Sequence, residues 1–133
     1  MRRALQAFAL LVLSASALAT DSAQRVSVTG LFSDLRYIPQ AGDLLGYEVF
    51  IIFGGDAGHF ALVQCAEGFP SKPVLVPVKV RGATVQFTIE PTESSHCPAA
   101  SFTGTVSPAS LTGKFVGTTE IAVSLPRKPS YWQ

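Results

Sequence analysis

A chain of 133 residues, 47% hydrophobic and 14% charged, has the length of one domain and the composition of a globular one. Its ten basic residues are scattered among nine acidic ones for a net charge of +1, which leaves no basic stripe to neutralise phosphates and argues against nucleic-acid binding. Asn is absent, which excludes an Asn-linked glycan.

The N-terminus reads as an export signal over residues 1–19. Arg2 and Arg3 precede a mainly apolar run from Ala4 to Leu13, and small residues follow from Ser14 to Ala19. Ala17 and Ala19 occupy the −3 and −1 positions of an A-x-A site, so the predicted cut falls before Thr20. The apolar run is too short to cross ~30 Å of hydrocarbon as a helix. No Cys stands near the cut to carry a lipid anchor. The expected product is residues 20–133, a single domain without a transmembrane segment, periplasmic or secreted. Eight basic residues then stand against nine acidic ones, for a net charge of −1.

Short strands fill most of the remainder. Arg25–Phe32 puts Val26, Val28, Gly30 and Phe32 on one face, and Ser33–Asp43 follows as an extended or turning connection. Leu45–Phe53 is the most apolar segment: Tyr47, Val49, Ile51 and Phe53 share one face, yet Phe50 and Ile52 make the other apolar too, so both sides call for cover. Gly54–Gly58 is a turn, His59–Cys65 returns from it, and Ala66–Pro73 reads as a loop. Val74, Val76, Val78 and Val80 give the cleanest alternation, with Pro77 on the opposite face. A proline there cannot donate to a ladder and marks an edge or a bulge. After Arg81–Ala83, Thr84–Glu90 points Val85, Phe87 and Ile89 inward, and Pro91–Ala100 is a polar loop. Ser101–Ser107 and Leu111–Gly117 form a hairpin around Pro108, Ile121–Leu125 is the last strand, and a tail begins at about 126.

About eight strands in sequential hairpins predict an all-β antiparallel meander closing into a small up-and-down barrel; a two-sheet β-sandwich satisfies the same alternation. The only cysteines, Cys65 and Cys97, are expected to form a disulfide in an oxidising compartment. Closing a loop of that length stabilises the fold by about 3.5–4 kcal/mol in the chain-entropy model.

The phrases Phe102-Thr103-Gly104-Thr105-Val106 and Leu111-Thr112-Gly113-Lys114-Phe115-Val116-Gly117 resemble the repeated hairpins of avidin-like and lipocalin-like barrels. The outline is also similar to exported bacterial protease inhibitors with a small barrel and one disulfide. The whole mature chain resembles uncharacterised small exported proteins of Gram-negative bacteria. The resemblance implies architecture and transfers no functional residue, since the early G-x-W of lipocalins is missing and the single Trp is Trp132.

Chemistry is sparse in this sequence. G-x-S-x-G, H-E-x-x-H and a Gly-rich phosphate loop are all absent. Asp56 and His59 bracket one turn and could pair as acid and base, but such residues are more often solvated turn side chains. Glu93-Ser94-Ser95-His96-Cys97 could bind a metal or activate a serine, although a polar loop stapled by a disulfide accounts for it as well. No catalytic, metal or cofactor residue is assigned, and enzymatic activity is not expected.

Binding is the better class. Tyr47, Phe50, Phe53, Phe60, Phe87, Phe102 and Phe115 predict an aromatic interior; within it Tyr47, Phe87, Phe102 and Phe115 are candidates to line a small apolar ligand, or they simply fill the core. Phe69 in its Pro-containing loop and Tyr131-Trp132 in the tail are candidate anchors for a protein partner, unless the tail folds back to plug one barrel end. The expectation is therefore a non-enzymatic exported domain binding a protein or a small apolar ligand. The alternatives are an inhibitor of an exported hydrolase, a structural protein of the envelope, or a small hydrolase.

Overall fold

The computed structural model describes residues 25–91 and 97–133. The export signal with its cut before Thr20, and the Glu93–His96 stretch, lie outside the described residues. Nine strands follow one another: β1 (Gly30–Ser33), β2 (Arg36–Ile38), β3 (Asp43–Phe53), β4 (His59–Pro70), β5 (Val74–Arg81), β6 (Thr84–Ile89), β7 (Ala100–Val106), β8 (Ser110–Val116) and β9 (Glu120–Pro126). All pairings are antiparallel in the order β1-β3-β4-β5-β6-β7-β8-β9, with β2 beside β3 as a second short segment after β1. The described chain contains no α-helix, only one 3-10 turn at Gly55–Ala57. The meander curls into a nearly closed barrel with one unsealed seam between β1 and β9.

Three boundaries differ from the sequence reading. The strand expected over Arg25–Phe32 is reduced to Gly30–Ser33, with residues 25–29 outside any strand. The Ser33–Asp43 connection contains β2, whose Arg36, Tyr37 and Ile38 pair with Leu45, Leu44 and Asp43. The segment after Cys65 is not a loop: β4 runs on to Pro70 because Ala66, Glu67 and Gly68 keep pairing with Gly46, Leu45 and Leu44. Local composition suggested a break there, but the long partner strand imposes continuity.

Alternation sets the interior. Val49, Ile51, Ala61, Val63, Val76, Val78, Val85, Phe87, Phe102, Leu111, Phe115 and Leu125 form one buried cluster. Phe87, Phe102 and Phe115 are cross-strand neighbours in one row, and Tyr47 reaches them from the opposite wall. Ring centroids lie 4.8 Å apart for Phe87–Phe102 and Phe102–Phe115, and 4.6 Å for Tyr47–Phe115. The next row pairs Gly104 with Gly113, and a Cβ on either would meet the Phe102 ring, at 2.6 Å and 2.7 Å. The glycines thus vacate the space that this ring fills.

Phe50, Phe53 and Phe60 do not belong to that interior, contrary to the sequence expectation. Phe50 and Phe60 sit at outward positions of β3 and β4, since their neighbours Val49, Ile51 and Ala61 are the buried ones. Phe53 has inward parity but lies past the barrel end, 64% exposed, against the His59 ring.

Pro77 behaves as its chemistry requires. It faces Phe60 of β4, while pairing between β5 and β6 covers only Lys79↔Gln86 to Arg81↔Thr84. Alternate residues of a strand send their N–H groups to opposite sides. The Arg81/Thr84 pair flanks a two-residue turn with Gly82 at φ +59°, so Lys79 and Pro77 face β6. The missing proline N–H falls where the ladder stops.

Closure rests on Arg127. A single bridge joins Phe32 to Arg127, and Lys128 N–H donates to the Leu31 carbonyl at 3.3 Å. The Arg127 guanidinium donates to Thr29 O at 2.7 Å, Ser27 O at 2.8 Å and Ser107 O at 3.4 Å, and lies 4.5 Å from the Phe32 ring centroid. Charge-assisted hydrogen bonds contribute about 1.5–3 kcal/mol each and a cation over an aromatic face about 0.5–2 kcal/mol, less where the group is wet. Arg127→Ala is expected to lower unfolding free energy by about 2–4 kcal/mol in urea titrations. Arg127→Lys should recover little of it, because an ammonium cannot span three carbonyls.

Candidate functional site

The outer surface of the barrel has two unlike halves. On β6–β9 the outward positions are mostly polar and exposed, Gln86, Thr88, Ser101, Thr103, Thr105, Thr112, Lys114, Glu120 and Ser124, with Val116, Ala122 and Pro126 the apolar exceptions. Thr88 and Ser101 hydroxyls lie 3.2 Å apart, and Lys114 pairs with Glu120 at 2.9 Å. On β1, β3, β4 and β5 the outward positions are largely apolar, with Glu48, Gln64, Lys79 and Arg81 among the polar exceptions. Register aligns Leu31 with Phe50, Phe50 with Leu62, and Leu62 with Leu75, so four large side chains form one stripe across the strands. A second row, Ile52–Phe60–Pro77, lies one pleat further along. Phe50, Leu62 and Leu75 remain 41%, 39% and 59% exposed. A contiguous apolar face of this kind on a small domain marks an interaction surface more often than scattered single residues do.

The C-terminal tail borders this face. It folds back, but along the outer wall rather than as a plug in the barrel mouth. Ser130 Oγ–H donates to Glu48 Oε1 at 2.6 Å and Tyr131 N–H to Glu48 Oε2 at 3.0 Å. Trp132 Nε1–H donates to Gln64 Oε1 at 2.7 Å, and its ring meets Tyr131 edge-on at 5.0 Å. Glu48 is a buried carboxylate on the outward side of β3, and the tail satisfies both of its oxygens. Burial of a charge demands such partners. Between tail and stripe lies an open groove of about 280 Å³ bounded by Leu31, Phe50, Leu62, Pro73 and Trp132.

The candidates named from sequence separate into three places. Tyr131 and Trp132 stand beside the stripe, and Trp132 keeps 53% of its surface exposed. Phe69 stands apart near the end of β4, 83% exposed, beside Glu67 and Pro70. Tyr47, Phe87, Phe102 and Phe115 stack on one another inside. A cavity of about 70 Å³ is left where Tyr47, Ile89, Phe115 and Ile121 meet at one barrel end. Sequence reading missed Glu48, Leu62 and Leu75. Their signal was parity: each takes the outward position of its strand, and two of the three are apolar there.

Cys65 and Cys97 are joined as a disulfide with Cα atoms 5.6 Å apart. Buried Ser71 packs against it, its Oγ 3.1 Å from Cys97 Sγ and accepting the Cys65 N–H at 3.1 Å. Asp56 is exposed in the 3-10 turn, and His59 packs on Phe53 with centroids 5.1 Å apart; His96 lies outside the described residues. Among the described residues no three His, Cys, Asp or Glu side chains converge as metal ligands, and no helix is long and apolar enough to cross a membrane. The disulfide is compatible with an oxidising, extracellular compartment. No protein-family model matches the chain, and comparison with curated proteins and with solved structures finds no match.

Two outcomes follow from this geometry. Burial pushes the Tyr47 phenol above its ordinary 10.0, and the charges of Glu67 and then Asp34 add to the rise. Folding therefore favours the protonated phenol. That contribution is complete below the unfolded value and lost as pH climbs through the folded one. Stability of the wild type should fall above about pH 10 more steeply than that of Tyr47→Phe, read from urea midpoints across that range. Glu48→Ala removes both anchors of the tail. Acrylamide quenching of Trp132, the single tryptophan, should then rise and the last residues should become cleavable by carboxypeptidase, with the far-UV spectrum unchanged.

Proposed function

We propose that this chain is an exported, non-enzymatic binding domain that engages a protein partner through the outer wall of β1, β3, β4 and β5. The observation that carries the reading is the in-register stripe Leu31–Phe50–Leu62–Leu75, flanked by the half-exposed indole of Trp132. Protein interfaces concentrate their energy in a few aromatic and aliphatic anchors surrounded by polar groups. Here the apolar stripe is bordered by Gln64, by Lys72 next to Pro73, and by Lys128 at the start of the tail.

At the Tyr47 end of the interior, volume favours a protein partner over a small apolar ligand. The larger cleft of about 480 Å³ beside Phe87 and Phe102 is open and lined also by Lys79, Gln86, Thr88 and Glu90, a poor match for an apolar ligand. Ligand pockets usually measure about 300–1,000 Å³. The stacked rings leave about 70 Å³ at the Tyr47 end. The outer face, in contrast, is broad, open and mostly built on two long strands with ten paired positions.

The reading is tested with the mature protein immobilised and exposed to periplasmic and secreted fractions of its own source. Wild type should retain a defined partner that the double variant Leu62→Asp/Leu75→Asp loses, with affinity reduced at least about 100-fold for two buried anchors. The two carboxylates would stand opposite each other in register and should lower the unfolding free energy by about 1–2 kcal/mol, so a wild-type far-UV spectrum under the binding conditions is the control for folding. A partner held equally by both proteins would remove the outer wall from consideration, and its loss from Phe69→Ser but not from the double variant would move the site to the end of β4.

A further inference from the structure

We infer that the free edge of β9 is a second binding site, one that takes an extended peptide by strand addition. The inference does not rest on the outer-wall reading. β9 pairs with β8 from Glu120↔Val116 to Pro126↔Ser110, and on its other side it meets β1 only at Arg127.

Hydrogen bonds at its two ends fix which main-chain groups face the gap. Arg127 N–H donates to Ala109 O at 2.7 Å, and Gly117 N–H donates to Thr119 O at 3.0 Å. Odd-numbered residues of β9 therefore bond to β8. Strand alternation turns the N–H and C=O groups of Glu120, Ala122 and Ser124 toward the seam. Among the described residues none of these groups has a main-chain partner on that side. The row ends at Pro126, which has no N–H to offer, and at the Arg127 bridge.

Side chains define what would fit. Exposed edges are ordinarily blunted by lysines, by prolines or by bulges. Glu120, paired with Lys114, and Pro126 guard its two ends, but Ile121–Ser124 between them carries no charge, proline or bulge, and the outward side chains at Ala122 and Ser124 are small. Ile121 points inward by parity yet is 39% exposed, because no strand covers it from the β1 side. Beneath it lies the cavity of about 70 Å³ lined by Tyr47 and Phe115. A strand laid antiparallel or parallel along β9 would satisfy the three free N–H and three free C=O groups and drop one small apolar side chain, of alanine or valine size, over Ile121. The occupant is thus an extended segment of another protein with small apolar residues at alternate positions. A second copy fits less well, because it would press its own β1–Arg127 junction against this one.

The probe is the synthetic peptide acetyl-Lys-Thr-Val-Thr-Val-Thr-amide, added to the isotope-labelled mature protein and followed by amide hydrogen exchange. In the isolated protein the Ala122 and Ser124 amides should exchange fast while those of Ile121 and Val123 are protected. The peptide should slow Ala122 and Ser124 by at least about tenfold. N-methylation of two alternate peptide amides should weaken binding by at least about tenfold without any change to the protein. Ala122→Pro, which removes one seam-facing donor at an edge position that tolerates proline, should lose binding with its melting temperature preserved. Slow exchange of Ala122 and Ser124 in the isolated protein at every concentration would overturn the inference, as the seam would already be filled. Protection that grows with protein concentration alone would overturn it in favour of a second copy, and so would an absence of any peptide effect at millimolar concentration in favour of no site.

Discussion

The guanidinium of Arg127 is what turns a curled ribbon into a barrel. A meander has two terminal strands, and closing it requires that the last be held against the first. Here β1 is four residues long and supplies little ladder of its own. The join is made instead by one side chain that collects carbonyls from Ser27, Thr29 and Ser107 and lies over Phe32. Arginine suits this task because its rigid fork offers several donors in fixed directions and never loses its charge. Everything enclosed depends on that join, since the row Phe87–Phe102–Phe115 stays dry only if the wall opposite is held in place.

A barrel with a filled interior can bind only with its outside or its rims. The division of the outer surface into a Ser/Thr-rich half and an aliphatic half therefore carries more functional meaning than the aromatic core. The core rings were the natural first suspects from sequence, and stacking distances near 4.8 Å account for them as packing. The outer stripe has no such account within the domain, because Phe50 and Leu75 stay 41% and 59% exposed. The tail binds Glu48 and Gln64 and stands beside the stripe, so it frames the apolar face without closing it.

Much of the fold could be read from residue order. Period-2 alternation in Val74–Val80 and Thr84–Ile89, the turn glycines at 54–58 and at 82, and the meaning of Pro77 all depend on local chemistry, and the structure agrees with each. What could not be read depends on register. The stripe exists because Leu31, Phe50, Leu62 and Leu75 fall on one line, and a shift of one residue in any pairing would scatter it. The extension of β4 to Pro70 depends on the length of β3, and Gly68 and Pro70 hid it. Glu48 looked like an ordinary surface acid because its partners, Ser130 and Tyr131, stand more than eighty positions away. Burial through the tail is a tertiary fact with no local signature.

The staple between Cys65 and Cys97 spans 32 positions and encloses β5 and β6 entirely within one covalent ring. Those two strands share only three backbone pairs, as few as β2 and β3, and the ladder stops short of Pro77. A short ladder in the wall is thus circled by a covalent cross-link. Thermal excursions that part this ladder stay short in reach, since neither ring terminus can drift away from the other. A domain arranged this way can breathe at one place and still find its way shut.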